Sequence, residues 1–270
     1  MPGRTARILT AVALACGLTA CGTTEQGSLL DKETLTVGVR PDLPGLGLKR
    51  KDGTFEGFDI DVARYVARKI DRDVRFVPAL ASDRIPFLVS GRVDMMLATL
   101  SITPDRKTEI AYAGPYFVSY QDIMVRQNDR ARGVRDLKGR RFCAVKGSDP
   151  ARRVATLRGM TVVQVPADHY DQCMSLLKAD RIDAITTNDV ILAGLIKREG
   201  RGLRLVGAQI SEQHTAIGIR RGDPDACEAL NRAITQMYQD GTAQRLVRKW
   251  FSGTGLDLTH LGVPQFEGCL

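Results

Sequence analysis

The sequence predicts an α/β protein with a mainly parallel sheet flanked by helices. Residues 35–39 alternate as a strand, and residues 58–70 then place their apolar side chains along one helical face. The pattern repeats with a strand at 74–77, a helix at 83–90 and a strand at 93–98. Successive strand–helix units favour a parallel sheet with helices on both faces. Groups that bind a small molecule are therefore expected at the carboxyl ends of the strands.

A second series of elements follows a break at Pro115 and Tyr116. The expected strands are 123–126, 142–145, 162–165, 182–185 and 203–206. The clearer helices between them are 168–177 and 189–198. The chain then continues through an extended segment, 210–219, and ends in helices 224–240 and 242–251 with Gly241 as the break between them.

The amino terminus has the features of an exported lipoprotein. Arg4 and Arg7 precede a short apolar stretch, which ends in Leu-Thr-Ala before Cys21. This pattern predicts a signal peptide over 1–20, removed by cleavage before Cys21, and a lipid on that cysteine. Residues 21–29 are expected to form the lipidated cysteine and its tether. The predicted location is the extracytoplasmic face of a bacterial cell membrane.

Composition is that of a globular protein, with 43% hydrophobic and 26% charged residues. The net charge is +8, and removing Arg4 and Arg7 leaves 37 basic against 31 acidic residues. The excess suits an anionic ligand or anionic lipid, but the basic residues are scattered along the chain. No zinc-finger spacing or RNA-binding aromatic motif is present, so a nucleic-acid partner is not expected.

Four of the six cysteines follow Cys21. An even number in an exported chain predicts two disulfide bonds, and four cysteines allow three pairings. A metal site is disfavoured because no Cys-x-x-Cys spacing or adjacent histidine pair occurs. No cofactor is expected.

The run from Asp94 to Arg106 contains the strongest candidate site. A buried apolar strand ends at Leu97, and Thr103 followed by proline is typical of a helix N-cap with proline in the first helical position. Arg106 then falls in the first turn, where a guanidinium could grip a carboxylate with two parallel hydrogen bonds.

Five segments together resemble the amino-acid-binding solute receptors of ABC importers, and within them the glutamate/aspartate-binding group. They are Gly53-Thr-Phe-Glu-Gly-Phe-Asp-Ile-Asp-Val-Ala63, the Thr99–Arg106 loop, Gly114-Pro-Tyr116, Val145-Lys-Gly-Ser148, and Arg181-Ile-Asp-Ala184 with Asn188-Asp189.

The resemblance implies a two-lobe, Venus-flytrap fold of the periplasmic-binding-protein type. Residues 30–117 plus 213–270 would form the first lobe and residues 118–212 the second, joined by two hinge strands. Pairings of Cys143 with Cys173 and of Cys227 with Cys269 are then favoured, because each pair lies within one lobe.

By resemblance, the Thr99 carbonyl and the Ser101 hydroxyl accept hydrogen bonds from a ligand ammonium, and Leu100 between them is a further ligand-binding residue. Arg106 takes the α-carboxylate, and Ser148 donates from the facing lobe.

Two positions depart from the family pattern. Asn188 stands where the family commonly presents an aspartate to the ammonium. Either the Asn188 amide oxygen accepts a weaker, uncharged hydrogen bond from the ammonium, or Asp189 turns inward. Asp189 alternatively caps its helix. Asp149 replaces an expected hydroxyl, and with Pro150 it resembles an N-cap that would consume amides otherwise free for a carboxylate.

Arg40 and His169 match positions that hold the distal carboxylate in glutamate/aspartate receptors, with Lys146 as a further cation. The alternatives are a solvated strand end for Arg40 and a surface residue in the first turn for His169.

The resemblance thus implies a monomeric receptor that delivers L-glutamate or L-aspartate, with the corresponding amides as alternative ligands, to an ABC permease and its ATPase. The alternatives are an exported enzyme on the same scaffold, such as a cyclohexadienyl dehydratase, and a ligand-binding sensor. The motifs of nucleotide sites, serine hydrolases and zinc peptidases are missing, so the chain is not expected to be an enzyme.

Overall fold

The computed structural model describes residues 27–256, 258 and 262–269. The predicted signal peptide and the predicted lipid site at Cys21 lie outside these residues. Within the described ranges, no helix is long and apolar enough to cross a membrane.

Strands and helices alternate through the described chain, as the periodicity predicts. The strands are β1 (Thr34–Val39), β2 (Asp42–Leu43), β3 (Gly47–Lys49), β4 (Phe55–Glu56), β5 (Asp73–Pro78), β6 (Met95–Leu97), β7 (Ala111–Arg126), β8 (Arg141–Val145), β9 (Val163–Ala167), β10 (Ile185–Asn188), β11 (Leu203–Leu205) and β12 (Glu212–Ile219). The α-helices are α1 (Phe58–Lys69), α2 (Arg84–Val89), α3 (Pro104–Lys107), α4 (Pro150–Arg158), α5 (Tyr170–Lys178), α6 (Asp189–Glu199), α7 (Pro224–Gln239) and α8 (Thr242–Phe251).

The largest sheet has the strand order β10-β7-β12-β6-β1-β5, with β11 also paired to β7. Strand β1 is parallel to both β5 and β6. Strand β12 is antiparallel to β6 and β7, and β8 and β9 form a separate parallel pair. The sheet is therefore parallel within the strand–helix units and antiparallel where β7 and β12 join it.

Two lobes share the long strand β7 and its partner β12. The amino-terminal part of β7 pairs with β12 beside β6, whereas its carboxyl-terminal part pairs with β10 and β11. The first lobe is built on β1, β5, β6, α1, α7 and α8, and the second on β8 to β11 and α4 to α6. The two-lobe α/β fold is thus present, and the residue boundaries at 117 and 212 stay a prediction.

Helix α1 shows how the first lobe buries its core. Its apolar residues recur on one face, so that Phe58, Ile60 and Val66 are buried against the sheet and against α7 and α8. Phe58 also packs edge-on against Phe117, with ring centroids 5.2 Å apart. This packing fixes the start of α1, where Asp59 supports the candidate site.

Two disulfide bonds are present, Cys143–Cys173 and Cys227–Cys269. The first links β8 to α5 in the second lobe, and the second ties α7 to the carboxyl-terminal segment. Each stabilises its lobe by roughly 2–4 kcal/mol, largely because it restricts the unfolded chain.

Three local features differ from the sequence prediction. The small sheet β2-β3-β4 was not predicted, because strands of two or three residues separated by proline and glycine give no periodicity. Strand β7 continues through Pro115, where β12 has a register irregularity between Thr215 and Ile217 that accommodates the missing donor. Strand β10 begins at Ile185, and the preceding Ala184 forms an isolated parallel bridge with Phe142 of β8 instead of extending β10.

Candidate functional site

A cavity lies between the two lobes, at the carboxyl ends of β1, β6 and β10. It is lined by Arg40, Arg84, Thr99, Ser101, Arg106, Ser148, Asp149, Pro150, Arg153, Tyr170, Thr187, Asn188, Ile191 and Gln213. The parallel strands bring these positions to one edge, which is where the alternating strand–helix pattern places a site.

Thr99 forms part of the first-lobe wall in an unusual backbone conformation, with φ of 48°. A β-branched residue rarely adopts positive φ, and holding it there costs on the order of 1–3 kcal/mol. The fully buried carboxylate of Asp59 offsets this cost by accepting from the Thr99 amide at 2.7 Å and from its hydroxyl at 2.9 Å. Tyr116 donates its hydroxyl to the other oxygen of Asp59 at 2.8 Å.

Burial raises the pKa of Asp59 to about 6, although the hydrogen bonds from Tyr116 and Thr99 oppose the shift. The first-lobe wall is therefore held by a carboxyl group whose ionised form is costly in the folded protein. Proteins keep destabilising buried groups of this kind mainly at functional sites.

Arg106 lies where the sequence predicts, in the first turn of α3. Thr103 caps this helix by accepting from the Arg106 amide at 3.4 Å. The guanidinium donates to the Ser101 carbonyl at 2.8 Å and, from the other lobe, to the Gly147 carbonyl at 3.3 Å. Burial lowers the pKa of Arg106, because the cationic form is partly desolvated.

Arg84 is a cavity residue that the sequence reasoning missed. Its side chain is only 5% exposed, and it donates to the carbonyls of Ala98, Thr99 and Gly147 at 3.4, 3.3 and 3.0 Å. It makes no ion pair with a carboxylate in the part of the chain that the structure describes. Burial lowers its pKa strongly, and the neighbouring charges of Arg106 and Arg40 add to the effect. The sequence feature that could have identified Arg84 is its position at the start of a helix that follows a predicted parallel strand, where binding groups are expected.

Arg40 lines the cavity but already has a partner. Its guanidinium makes two hydrogen bonds to Asp42, at 2.8 and 2.7 Å, and lies 5.7 Å from the centroid of the Tyr170 ring. Its side chain is 2% exposed, so it is not the solvated strand end that was the alternative. Asp42 neutralises the charge that Arg40 would otherwise present to a ligand.

The polar side chains that the second lobe places at Ser148 and Asp149 already have hydrogen-bond partners within that lobe. The Ser148 hydroxyl donates to the Val145 carbonyl at 3.0 Å, and Asp149 pairs with Arg152. The Asp149 side chain makes no cap hydrogen bond to α4, in contrast to the capping role predicted for it. Its carboxylate turns toward Arg152 because that guanidinium lies one turn along the same helix.

Of the two neighbouring candidates for the ammonium, only Asn188 lines the cavity. Its amide nitrogen lies 3.3 Å from the Ser119 hydroxyl and 3.5 Å from that of Ser101. The Asp189 carboxylate instead accepts from the Val190 amide at 2.7 Å, and burial raises its pKa to about 6.

Three other predicted site residues are not among the cavity-lining side chains. Leu100 is packed in a hydrophobic cluster with Leu88 and Met96. Lys146 is exposed. His169 caps α5, with Nδ1 accepting from the Gln172 amide at 3.3 Å. Sequence periodicity could not show which of these side chains line the cavity, because it does not fix the direction of side chains in loops and helix caps.

The electrostatics of the cavity are dominated by three guanidinium groups, those of Arg84, Arg106 and Arg153. In the described residues none of them makes an ion pair, and their hydrogen bonds go to carbonyl and amide oxygens. Asp149 is the acid among the lining residues, and it already pairs with Arg152. A carboxylate entering the cavity would find donors for bidentate, charge-assisted hydrogen bonds.

Comparison with known proteins identifies the family of this chain. Residues 35–253 match the model of the bacterial extracellular solute-binding proteins, family 3. The glutamate-binding protein GluB of Corynebacterium glutamicum is 34% identical over 264 residues, covering 90% of this chain and 89% of that protein. GluB of Corynebacterium efficiens is 34% identical over 249 residues, covering 85% of this chain and 84% of its own length.

Among solved structures, an ancestral arginine-binding protein bound to arginine superposes with a TM-score of 0.75 at 32% identity, covering 82% of this chain and 99% of that chain. The position of the cavity between two lobes and these matches over most of the chain lead to one conclusion: the protein belongs to the bacterial extracellular solute-binding proteins, family 3.

Proposed function

We propose that the chain binds a dicarboxylic amino acid, L-glutamate or L-aspartate, between its lobes. The observation that supports this most directly is a set of three guanidinium groups that make no ion pair with any residue in the described ranges, those of Arg84, Arg106 and Arg153. An uncompensated buried charge costs several kcal/mol, so a ligand that supplies negative charge would bind strongly there. The glutamate-binding relatives at 34% identity agree with this choice.

In the proposed complex, Arg106 binds the α-carboxylate. The Thr99 carbonyl, the Ser101 hydroxyl and the Asn188 amide oxygen accept hydrogen bonds from the ammonium. Arg84 binds the side-chain carboxylate, and Arg40, fixed by Asp42, forms the wall behind it together with Tyr170. A neutral amide side chain would leave the Arg84 charge uncompensated, which favours the acids over glutamine and asparagine.

We further propose that the chain is a receptor rather than an enzyme. The titratable acid lining the cavity is Asp149, and its pairing with Arg152 leaves it poorly placed as a general base. The ancestral binding protein AncCDT-1, described as a precursor of cyclohexadienyl dehydratase, is similar at 27% identity and a TM-score of 0.75, covering 83% of this chain and 100% of that one. That similarity makes recovery of unchanged ligand a necessary measurement.

Delivery to an ABC permease and its ATPase, anchoring through a lipid on Cys21 and a monomeric state complete the proposal. The residue limits of the lobes, 30–117 plus 213–270 and 118–212, belong to it as well. The family comparison supports an extracytoplasmic role, since its members are extracellular solute-binding proteins.

The proposal is tested by calorimetric titration of the chain from residue 22 onward with glutamate, aspartate, glutamine, asparagine and arginine. We expect saturable binding of an acidic amino acid and recovery of that compound unchanged. Arg84→Met should weaken glutamate by about 30-fold or more, because truncating one partner of a buried charge pair costs roughly 2–5 kcal/mol. Glutamine should lose much less.

Arg75→Met is the matched control, since Arg75 is exposed and donates to the Thr36 hydroxyl at 2.8 Å, away from the cavity. Equal losses for glutamate and glutamine in Arg84→Met would reject the side-chain assignment. Arginine as the tightest ligand of the wild-type chain would reject the acidic ligand altogether.

A further inference from the structure

The amino terminus of α4 is poorly equipped to hold an anion by its backbone. Pro150 occupies the first helical position and has no N–H to donate, and the preceding Asp149 places a carboxylate beside it. The hydroxyl of Ser148 is directed to the Val145 carbonyl at 3.0 Å. A side-chain donor would therefore strengthen the second-lobe contact to a ligand carboxylate.

Arg153 is located where such a group is needed. It lies one turn into α4, and helical side chains point back toward the amino terminus of their helix. It is half-buried and lines the cavity opposite Arg106. Its Nη1 donates to the Gln213 amide oxygen at 2.6 Å, on the strand β12 that both lobes share.

Charge explains why a ligand would draw Arg153 away from this partner. Gln213 is neutral, whereas a carboxylate forms charge-assisted hydrogen bonds with a guanidinium that are roughly twice as strong as neutral ones. Burial lowers the pKa of Arg153, and the nearby charge of Arg106 adds to the effect. Two cations that face each other across the cavity gain from an anion placed between them.

We infer that Arg153 is a further ligand-binding residue, which binds the α-carboxylate from the second lobe while Arg106 binds it from the first. The inference rests on the proposed function. It makes closure dependent on charge: without an anion, the two guanidinium groups repel each other and oppose approach of the lobes, and a carboxylate between them reverses the sign of that interaction. Every free amino acid carries this α-carboxylate, so the charge-dependent closure distinguishes amino acids from compounds that lack a carboxylate there.

The test compares Arg153→Gln with Arg152→Gln by titration with glutamate and by small-angle X-ray scattering with and without ligand. Arg152 is the neighbouring residue of the same helix, is exposed and pairs with Asp149. We expect Arg153→Gln to weaken glutamate by about 10- to 100-fold and to lose most of the ligand-induced compaction, as for truncation of a buried charge pair. Arg152→Gln should stay within about twofold of wild type, since exposed ion pairs contribute little.

Gln213→Ala separates ligand binding from the contact that Arg153 makes with Gln213. Under the inference, it weakens glutamate less than Arg153→Gln does. Equal losses in these two variants would assign Arg153 to the Gln213 contact and overturn the inference, as would wild-type affinity in Arg153→Gln. If wild-type protein binds no acidic amino acid, the proposed function fails first and the inference with it; if wild type binds and Arg153→Gln binds equally, the inference fails alone.

Discussion

On the first-lobe side of the cavity several polar groups are buried, among them Arg84 and Thr99, whereas on the second-lobe side Ser148 and Asp149 are partly exposed or exposed and hydrogen-bond to their own neighbours. Asp59 holds Thr99 at a φ of 48°, and Arg84 is buried without an ion pair among the described residues. Across the cavity, Ser148 and Asp149 hydrogen-bond within their own helix and turn.

This difference indicates a division of labour between the lobes. The first side is preorganised, so that little conformational entropy is lost when a ligand binds to it. The second side reaches the ligand through a few groups and adds binding energy when it closes. The strained Thr99 and the buried guanidinium of Arg84 both line the cavity, where interactions with a ligand can offset their free-energy cost.

The largest effect is expected on the free energy of unfolding, from the buried carboxyl group of Asp59 on the first-lobe side. The folded pKa of Asp59 is raised from 3.8 to about 6, so its contribution to stability is present below pH 4 and is lost as the pH rises through 6. Asn at this position does not titrate. The free energy of unfolding of Asp59→Asn, relative to wild type, should therefore increase between pH 4 and pH 8 by up to roughly 3 kcal/mol.

Urea unfolding at several pH values measures this difference. Asp189→Asn is the companion variant, because burial raises the pKa of that carboxyl to about 6 as well, and its trend should have the same sign. If the difference in free energy of unfolding between Asp59→Asn and wild type does not change with pH, ionisation of Asp59 does not destabilise the folded protein as proposed.

An intermediate effect is expected from a close approach between the lobes at Gly147. A Cβ atom on Gly147 would lie 2.5 Å from the Cα atom of Ser82, so alanine there must push the lobes apart. Gly147→Ala should weaken glutamate by about tenfold or more and abolish ligand-induced compaction, since a contact of this kind cannot be relieved by a flexible side chain.

Gly159→Ala is the matched control for Gly147→Ala. Both glycines have positive φ, 78° and 56°, but a Cβ on Gly159 meets no atom within 4 Å. Both variants should lose some stability to backbone strain, and Gly147→Ala alone should lose ligand affinity. Similar affinities in the two variants would show that backbone strain, and not contact between the lobes, accounts for the effect.

The smallest effect is expected at His169, on the second side. Because its ring caps α5 and does not line the cavity, His169→Ala should change glutamate affinity by less than about threefold. Calorimetric titration of the variant and of wild type with glutamate and with glutamine measures this change. A much larger loss for glutamate than for glutamine would instead assign His169 to the ligand side chain.

The sequence determined the order of strands and helices, the cap at Thr103 and the place of Arg106, because these depend on short-range periodicity and on local hydrogen bonding. Resemblance to a family supplied the two lobes, which the periodicity left open. The disulfide pairing also depended on that division, since spacing alone allowed three pairings.

Only the tertiary structure decided which cations face the cavity with their charge uncompensated. Arg40 and Arg84 are both arginines near strand ends, yet Asp42 neutralises the first and no described acid pairs with the second. Arg153 enters the cavity and Lys146 does not, although both lie close to the same loop. The physical reason is that charge compensation and burial depend on distances between segments remote in sequence, and local patterns carry no information about those distances.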